Sequence, residues 1–496
     1  MVALLGHNIV QVYRLDAVRP LLVVVGTTGL LWALFRWIYR DGTRAALATS
    51  WWWFVYMAIE NIYEMTRKGT LLTGPVRPPV TLSVFGGMTL LGLWRLRKVE
   101  NPVRVAQFFF AVGLVANFFP ISQIVSVDLA TFLYPNHARV DVAPPNLPRE
   151  AYPDIYFIVL DAYAREDILR EVFQYDNTPF LNELKDMGFY IPTCNQSNYS
   201  KTAFSITSTL NFNYLDVLGG GNPEDALQNK RLLPDNEVRR LLTEWGYQTV
   251  AFPTGYVWSE IRNADLFLTP EKAPGPALGA WRPFGPLNPF ESLLLRHPYR
   301  PVVDALNAAG VLNLPTENLD TALQADVYQQ HYARIQFALS ALETIPDLPG
   351  PKFVYAHIVS PHPPLVLDRE GNFAHTPDAS KTGYTDAITY LNTRMGPILR
   401  GILAHSAVPP IIILEGDHGA KAVEWTPDVM KNLSAYYFPN GGNERLYNTI
   451  TPVNLFRIIF DEYFGTNYGT LEDVSYRSLT DDHQLDMERV PNTCGR

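Results

Sequence analysis

The sequence predicts an α/β fold: a large, mostly parallel sheet flanked by helices, preceded by a bundle of about four transmembrane helices. Three observations carry this. Short apolar runs rich in β-branched residues, such as Asp154–Leu160, Lys352–Ile358 and Pro409–Glu415, read as fully buried strands. Helical patterns alternate with them, as parallel strands joined by crossovers require. The first quarter of the chain instead holds long apolar stretches, each near the length that spans a bilayer.

Those stretches run from about Pro20 to Trp37, Ala45 to Tyr63, Pro79 to Trp94 and Val105 to Val127. The run Trp51-Trp52-Trp53 suits an interfacial belt. Arg36, Arg40 and Arg44 follow the first stretch; Arg95, Arg97, Lys98 and Arg104 separate the third from the fourth. By the positive-inside rule both loops are cytoplasmic, which places everything after the fourth span outside. The loop between the second and third spans, with Arg67, Lys68 and Arg77 beside Glu60 and Glu64, partly conflicts with that orientation. Met1–His7 reads as the tail of a further apolar helix, because it has neither the basic start nor the small-residue cleavage site of a signal peptide.

The expected organisation is a transmembrane domain over 1–130, a Pro-rich spacer over 131–150, a large α/β domain over 151–478 and a polar tail over 479–496. The Pro- and Gly-rich region Ala273–Pro315 contains Pro289–Pro298, which reads equally as an amphipathic patch on the bilayer or as a core helix. With 40 Lys and Arg against 49 Asp and Glu, and no long basic stripe, nucleic-acid binding has no support. Two cysteines, Cys194 and Cys494, imply no disulfide framework, and whether they pair is not readable from spacing.

Chemistry collects where strands end. Asp161 follows the first strand, His357 and His362 close the second, and Gly416-Asp417-His418-Gly419 follows the third. In an open α/β sheet, sites form outside the carboxyl ends of strands. Asp and His there offer oxygen and nitrogen to a divalent metal; helix caps and core histidines are the structural alternatives. The stretch Cys194–Leu210 passes from a polar loop into a helix start bearing hydroxyls, where free backbone N–H groups suit a tetrahedral anion. A plain Ser/Thr cap is the alternative there.

The ordered set resembles the alkaline phosphatase superfamily, in particular sulfatase-like membrane enzymes of the lipoteichoic acid synthase and phosphoethanolamine transferase type. It comprises Tyr152–Asp167, Thr178–Phe189, Asn236–Ala251, His357 with Pro361-His362-Pro363-Pro364, and Gly416–Gly419. The resemblance spans about Tyr152 to Ser478. It implies a metal shell of Asp161, Thr202, Asp417 and His418, with Thr202 transiently esterified. Lys201 would add charge, His362 would touch the anionic group, and His357 would protonate the leaving alcohol. Ser200 and Ser205 are the fallback nucleophiles.

Two departures bear on what the resemblance implies. The Cys/Ser-x-Pro-x-Arg sequence of sulfatases proper is absent, and Ala162 stands where many sulfatases place a further metal-binding Asp. Both favour threonine-based phosphoryl-group transfer with one divalent ion, zinc or manganese, with magnesium or calcium as further options. The implied partners are the lipid bilayer and a lipid-linked or cell-envelope phosphate ester, with catalysis on the extracytoplasmic side of the cell membrane. A hydrolase of phosphate or sulfate esters is the alternative, and a non-catalytic membrane scaffold on the same fold is the other.

Overall fold

The computed structural model describes residues 17–67, 78–133, 145, 148–223, 232–270, 316–376, 378–480, 483–492 and 494. Met1–His7 and Pro289–Pro298 lie outside these residues, as do most of the expected spacer and all of Ala273–Pro315. The chain divides into two compact units, residues 1–126 with 275–327, and residues 127–274 with 328–496.

The N-terminal helices are α1 (Val18–Tyr39), α2 (Gly42–Arg67), α3 (Pro78–Arg97) and α4 (Pro102–Leu133), one at each expected span. Among the described residues, α1 and the Pro102–Ser122 part of α4 are long and apolar enough to cross a membrane. Their apolar surface is almost entirely unburied, so neither is the core helix of a soluble protein. Of the four expected spans, two thus stand as candidates among the described residues. Glu60, Glu64 and several hydroxyl residues dilute α2, while α3 ends in Arg95 and Arg97. Phe35, Ala45 and Ala48 form a small packing centre with Leu31, Tyr39, Trp52, Leu93 and Leu96. The alanines let α1 and α2 approach closely, as small residues do between helices in lipid.

The second unit is built on a six-stranded sheet. Along the chain come β1 (Ile155–Leu160), α5 (Glu166–Phe173), α6 (Thr178–Asp186), α7 (Thr202–Leu210), α8 (Glu237–Glu244), β2 (Gln248–Ala251) and β3 (Leu266–Phe267). Then follow α9 (Thr316–Leu342), β4 (Lys352–Ile358), the small hairpin β5 (Leu365–Leu367) and β6 (Phe373–Thr376), α10 (Lys381–His405), β7 (Ile411–Glu415), β8 (Ser434–Tyr437) and α11 (Leu455–Phe464). The sheet order is β3-β2-β4-β1-β7-β8. Every pairing is parallel except that of β8, which runs antiparallel on the edge. The mostly parallel sheet flanked by helices is thus as the sequence predicts.

Side chains alternate across the strands with period two, so each strand feeds two cores. Tyr156, Ile158 and Leu160 join α5, α6, α9 and α10 on one face. Ile155, Phe157 and Val159 join α7, α8 and α11 on the other. Burial on both faces explains why the central strands read as unbroken apolar runs. The polar tail also carries structure: β9 (Ser475–Ser478) pairs antiparallel with β10 (Met487–Val490), and Cys494 is disulfide-bonded to Cys194.

Register sets the height of the strand ends. Val159 pairs with both His357 and Glu415. Asp161 and Asp417, each two residues further on, therefore leave the sheet at the same level. At the opposite end of β1 and β4, the buried Lys352 ammonium lies 2.6 Å from Asp154 Oδ2 and donates to the Leu348 carbonyl at 3.0 Å. Asp154 Oδ1 also accepts the Lys352 backbone N–H at 3.0 Å. Breaking such a pair strands a charge in the interior. We expect Asp154→Ala to cost about 3–5 kcal/mol, read as a lower unfolding midpoint of the full chain with its metal content unchanged.

Candidate active site

The tetrapeptide after β7 turns where backbones nearly touch. A Cβ on Gly416 would lie 2.5 Å from the Tyr163 carbonyl oxygen, and one on Gly419 would lie 2.8 Å from that of Lys431. Only glycine fits such approaches. Asp417 and His418 are thereby held inward, and both are buried. Asp417 Oδ1 accepts the Ala162 N–H at 3.0 Å, which ties the β7 turn to the β1 turn. The Tyr384 hydroxyl, from α10, braces that same turn by donating to the Ala162 carbonyl at 2.7 Å. The Asp161 carbonyl accepts the His362 N–H at 3.0 Å, joining the β4 loop to it.

The predicted residues converge on one atom. His418 Nδ1 donates to the Gly419 carbonyl at 2.9 Å, because a carbonyl can only accept. Its Nε2 lone pair then faces Thr202 Oγ1 at 3.1 Å, Asp417 Oδ2 at 3.5 Å and Asp161 Oδ1 at 3.7 Å. Thr202 is the first residue of α7. Asp161 Oδ1 and Asp417 Oδ2 are buried without any hydrogen-bond partner. Two orphaned carboxylate oxygens, a bare imidazole nitrogen and a hydroxyl form a donor set that fits a divalent cation.

His357 adds a further option. Its Nε2–H donates to Asp161 Oδ2 at 3.1 Å, and its Nδ1 is buried without a partner. One ligand atom each from Asp161, His357 and Asp417 lies within 4.8 Å of the others, so this trio could also hold an ion. Burial alone would raise the Asp161 pKa, but the facing His362, His357 and His418 outweigh it and hold the carboxyl below its ordinary range. Burial alone would lower the His418 pKa, but Asp417 and Asp161 outweigh it and raise it.

The remaining predicted residues are also placed. His362 is half-buried, with Nδ1–H donating to the Pro363 carbonyl at 2.6 Å, which leaves Nε2 for a substrate. Lys201 Nζ lies 2.7 Å from Glu424 Oε1 and 5.1 Å from the centre of the Trp425 ring, so its charge is already engaged. Both fallback nucleophiles have structural work. Ser205 Oγ donates to the Asp417 carbonyl at 2.7 Å, and Ser200 Oγ accepts the Ser478 N–H at 2.9 Å.

Sequence reasoning missed Glu424, Trp425 and Tyr384. No motif marks them, since only the folded turn after Gly419 and the packing of α10 bring them in. It also missed Arg165, whose Nη1 donates to the Asn195 carbonyl at 2.6 Å and steadies the loop leading to Thr202.

No protein-family model and no curated protein matches the chain. Solved structures do. The chain is similar to the zinc complex of the C-terminal periplasmic domain of EptC from Escherichia coli, at 10% identity and a TM-score of 0.38, over 66% of this chain and 87% of that one. It is similar to the lipoteichoic acid synthase LtaP from Listeria monocytogenes, at 12% identity and 0.39, over 71% and 82%. It is also similar to the integral membrane lipooligosaccharide phosphoethanolamine transferase EptA from Neisseria meningitidis, at 9% identity and 0.39, over 76% and 68%. Such distant likeness carries no chemistry, which has to come from the site's own atoms.

Glu415, the last residue of β7, supplies a pH test. Burial pushes its pKa up to about 8, against the Tyr436 hydroxyl that donates to it at 3.3 Å. The folded state keeps a proton that the unfolded chain releases near pH 4.5, so stability falls as pH rises from about 5 to 8. We expect Glu415→Gln to flatten that slope when unfolding midpoints are compared across this window. An unchanged slope would place the carboxyl in an ionised state.

Proposed function

We propose that the chain is a membrane-anchored, metal-dependent enzyme of the sulfatase-like type that transfers or cleaves a phosphate-type ester through a covalent Thr202 intermediate. The observation that carries this reading is the convergence of Thr202 Oγ1, Asp161 Oδ1 and Asp417 Oδ2 on His418 Nε2, with both carboxylate oxygens otherwise unpartnered. A scaffold would have no use for two buried, unpaired carboxylate oxygens beside a hydroxyl.

Asp161, Asp417, His418 and Thr202 would hold one divalent metal, which when bound supplies positive charge beside the phosphate and lowers the pKa of the Thr202 hydroxyl. Thr202 Oγ1 forms a bond to phosphorus as the bond to the leaving alcohol breaks. Backbone N–H groups at the start of α7 face the spreading negative charge. Thr202 would lose its proton to solvent; His362, whose Nε2 is open, would in its cationic form donate a proton to the leaving oxygen and, once neutral, accept one from the attacking alcohol or water. His357, buried behind Asp161, orients that carboxylate in place of the acid role expected from sequence. An acceptor alcohol or water then attacks the same phosphorus and frees Thr202. Phosphoethanolamine or phosphoglycerol-like groups are the proposed cargo.

Two independent observations favour the extracytoplasmic side. The basic loops of the N-terminal quarter point that way. The Cys194–Cys494 disulfide belongs to an oxidising compartment. Both support the reading of a multi-pass anchor with the catalytic unit outside the cytoplasm.

Thr202→Ala should lower turnover of fluorescent phosphatidylethanolamine and phosphatidylglycerol analogues by about a thousandfold or more, with metal content retained. Asp417→Ala should lose both metal and turnover. Near-normal rates in either variant would refute the assignment.

A further inference from the structure

α9 carries two residues that the mechanism above does not use, His331 and Arg334. The Arg334 guanidinium packs on the backbone of Gly255, in the turn after β2. A Cβ at Gly255 would lie 2.6 Å from an Arg334 Nη and 2.7 Å from its Cζ, and Gly255 has a φ of +90°. The turn is thus cut twice over to glycine, leaving a cradle that a planar guanidinium fills. Glu260 beside it has its oxygens taken: Oε1 accepts the N–H groups of Thr254 at 2.9 Å and Gly255 at 2.7 Å, and Oε2 accepts from Arg262 at 2.7 Å. Among the described residues Arg334 makes no hydrogen bond and no ion pair, and its Nε is buried without a partner. Arg334 is half-buried with no acid at hydrogen-bond distance, and its fork of donors matches a phosphate or carboxylate.

The turn after β2 lies beside the carboxyl end of β4, its parallel neighbour, at the sheet edge that also carries Asp161. His331 is buried, its ring N–H donates to the Val359 carbonyl three residues before His362, and its Nε2 has no partner. Burial first, and then Arg334 and His362 beside it, push the His331 pKa down to about 3, so this ring stays neutral. The charge in this corner is therefore that of Arg334. Tyr256 has both Arg334 and Asp161 near it, and the titratable neighbours of Arg334 are Tyr256 and Glu260.

We propose that Arg334, seated on Gly255 and walled by Tyr256 and His331, binds a second oxyanion of the substrate, a phosphate or carboxylate on the leaving or accepting molecule and distinct from the transferred phosphoryl group. This rests on the reading of the site given above. It makes the enzyme selective for substrates with two anionic groups, one at Thr202 and one at Arg334.

The test is calorimetric titration of the full-length, zinc- or manganese-loaded protein with propylphosphonate, 3-phosphonopropionate and propane-1,3-diphosphonate, together with their two- and four-carbon homologues. At least one two-headed series should bind about tenfold tighter than its one-headed match or better, and Arg334→Gln should remove about ten- to hundredfold of that affinity. One-headed binding should change by less than about twofold in that variant. A gain for diphosphonates alone assigns the second group as phosphate; a gain for both assigns any compact oxyanion. Equal losses for all ligands, or no loss for any, overturn the subsite. Should Arg334→Gln not fold, Arg334→Lys carries the test, with a loss of about three- to tenfold confined to two-headed ligands. If the metal-loaded wild type binds no phosphonate, the reading of the site falls and the subsite with it. One-headed binding that disappears in Asp417→Ala keeps that reading whatever Arg334 does.

Discussion

Two carboxylates set at one level above adjacent parallel strands are the constraint on which the site depends. Asp161 and Asp417 offer ligand atoms within 4.8 Å of each other. At about 5 Å and an effective dielectric near 20, two such charges repel by roughly 3 kcal/mol. Each keeps one buried oxygen without a hydrogen bond. The surrounding structure fixes them there: glycines at 416 and 419 let the β7 turn press against its neighbours, and Tyr384 braces the β1 turn. A fold that spends stability to hold two like charges together implies a cation between them. Thr202 Oγ1 and His418 Nε2 meet at 3.1 Å beside the same two oxygens.

Much of this was legible in the sequence because parallel strands buried on both faces leave a plain signature. The runs before Asp161, His357 and Asp417 are the three central strands β1, β4 and β7, and parallel pairing puts their ends together. The hydroxyl-bearing helix start at Thr202 was equally readable. Lys201 shows the limit: its identity suggested a free charge for phosphate, but Glu424 engages it from a turn more than two hundred residues away. His357 reads as an acid beside the substrate, yet its place inside β4 buries it behind Asp161. Such outcomes follow from tertiary contacts that no local pattern encodes.

The same reasoning explains the Cys194–Cys494 bond and the position of Arg334. The cysteines are 300 residues apart, and the β9–β10 hairpin is what carries the tail back toward the loop before Thr202. Arg334 is the one arginine of a long helix without lysine, yet nothing in its spacing points to the site until Gly255 is seen beneath it. The N-terminal helices were the reverse case. Composition alone located all four, yet charge and hydroxyl content leave α1 and α4 as the two clear candidates for crossing a bilayer.

The central claim is that Thr202 becomes a covalent ester. The most direct measurement is intact-mass and peptide mass spectrometry on full-length protein purified from native membranes with its metal retained and quenched in acid. The account predicts an adduct on the peptide containing Thr202, with a mass that names the group as phosphate, phosphoethanolamine or phosphoglycerol. Metal-replete, turning-over protein with Thr202 unmodified, and the adduct on another residue, would contradict it.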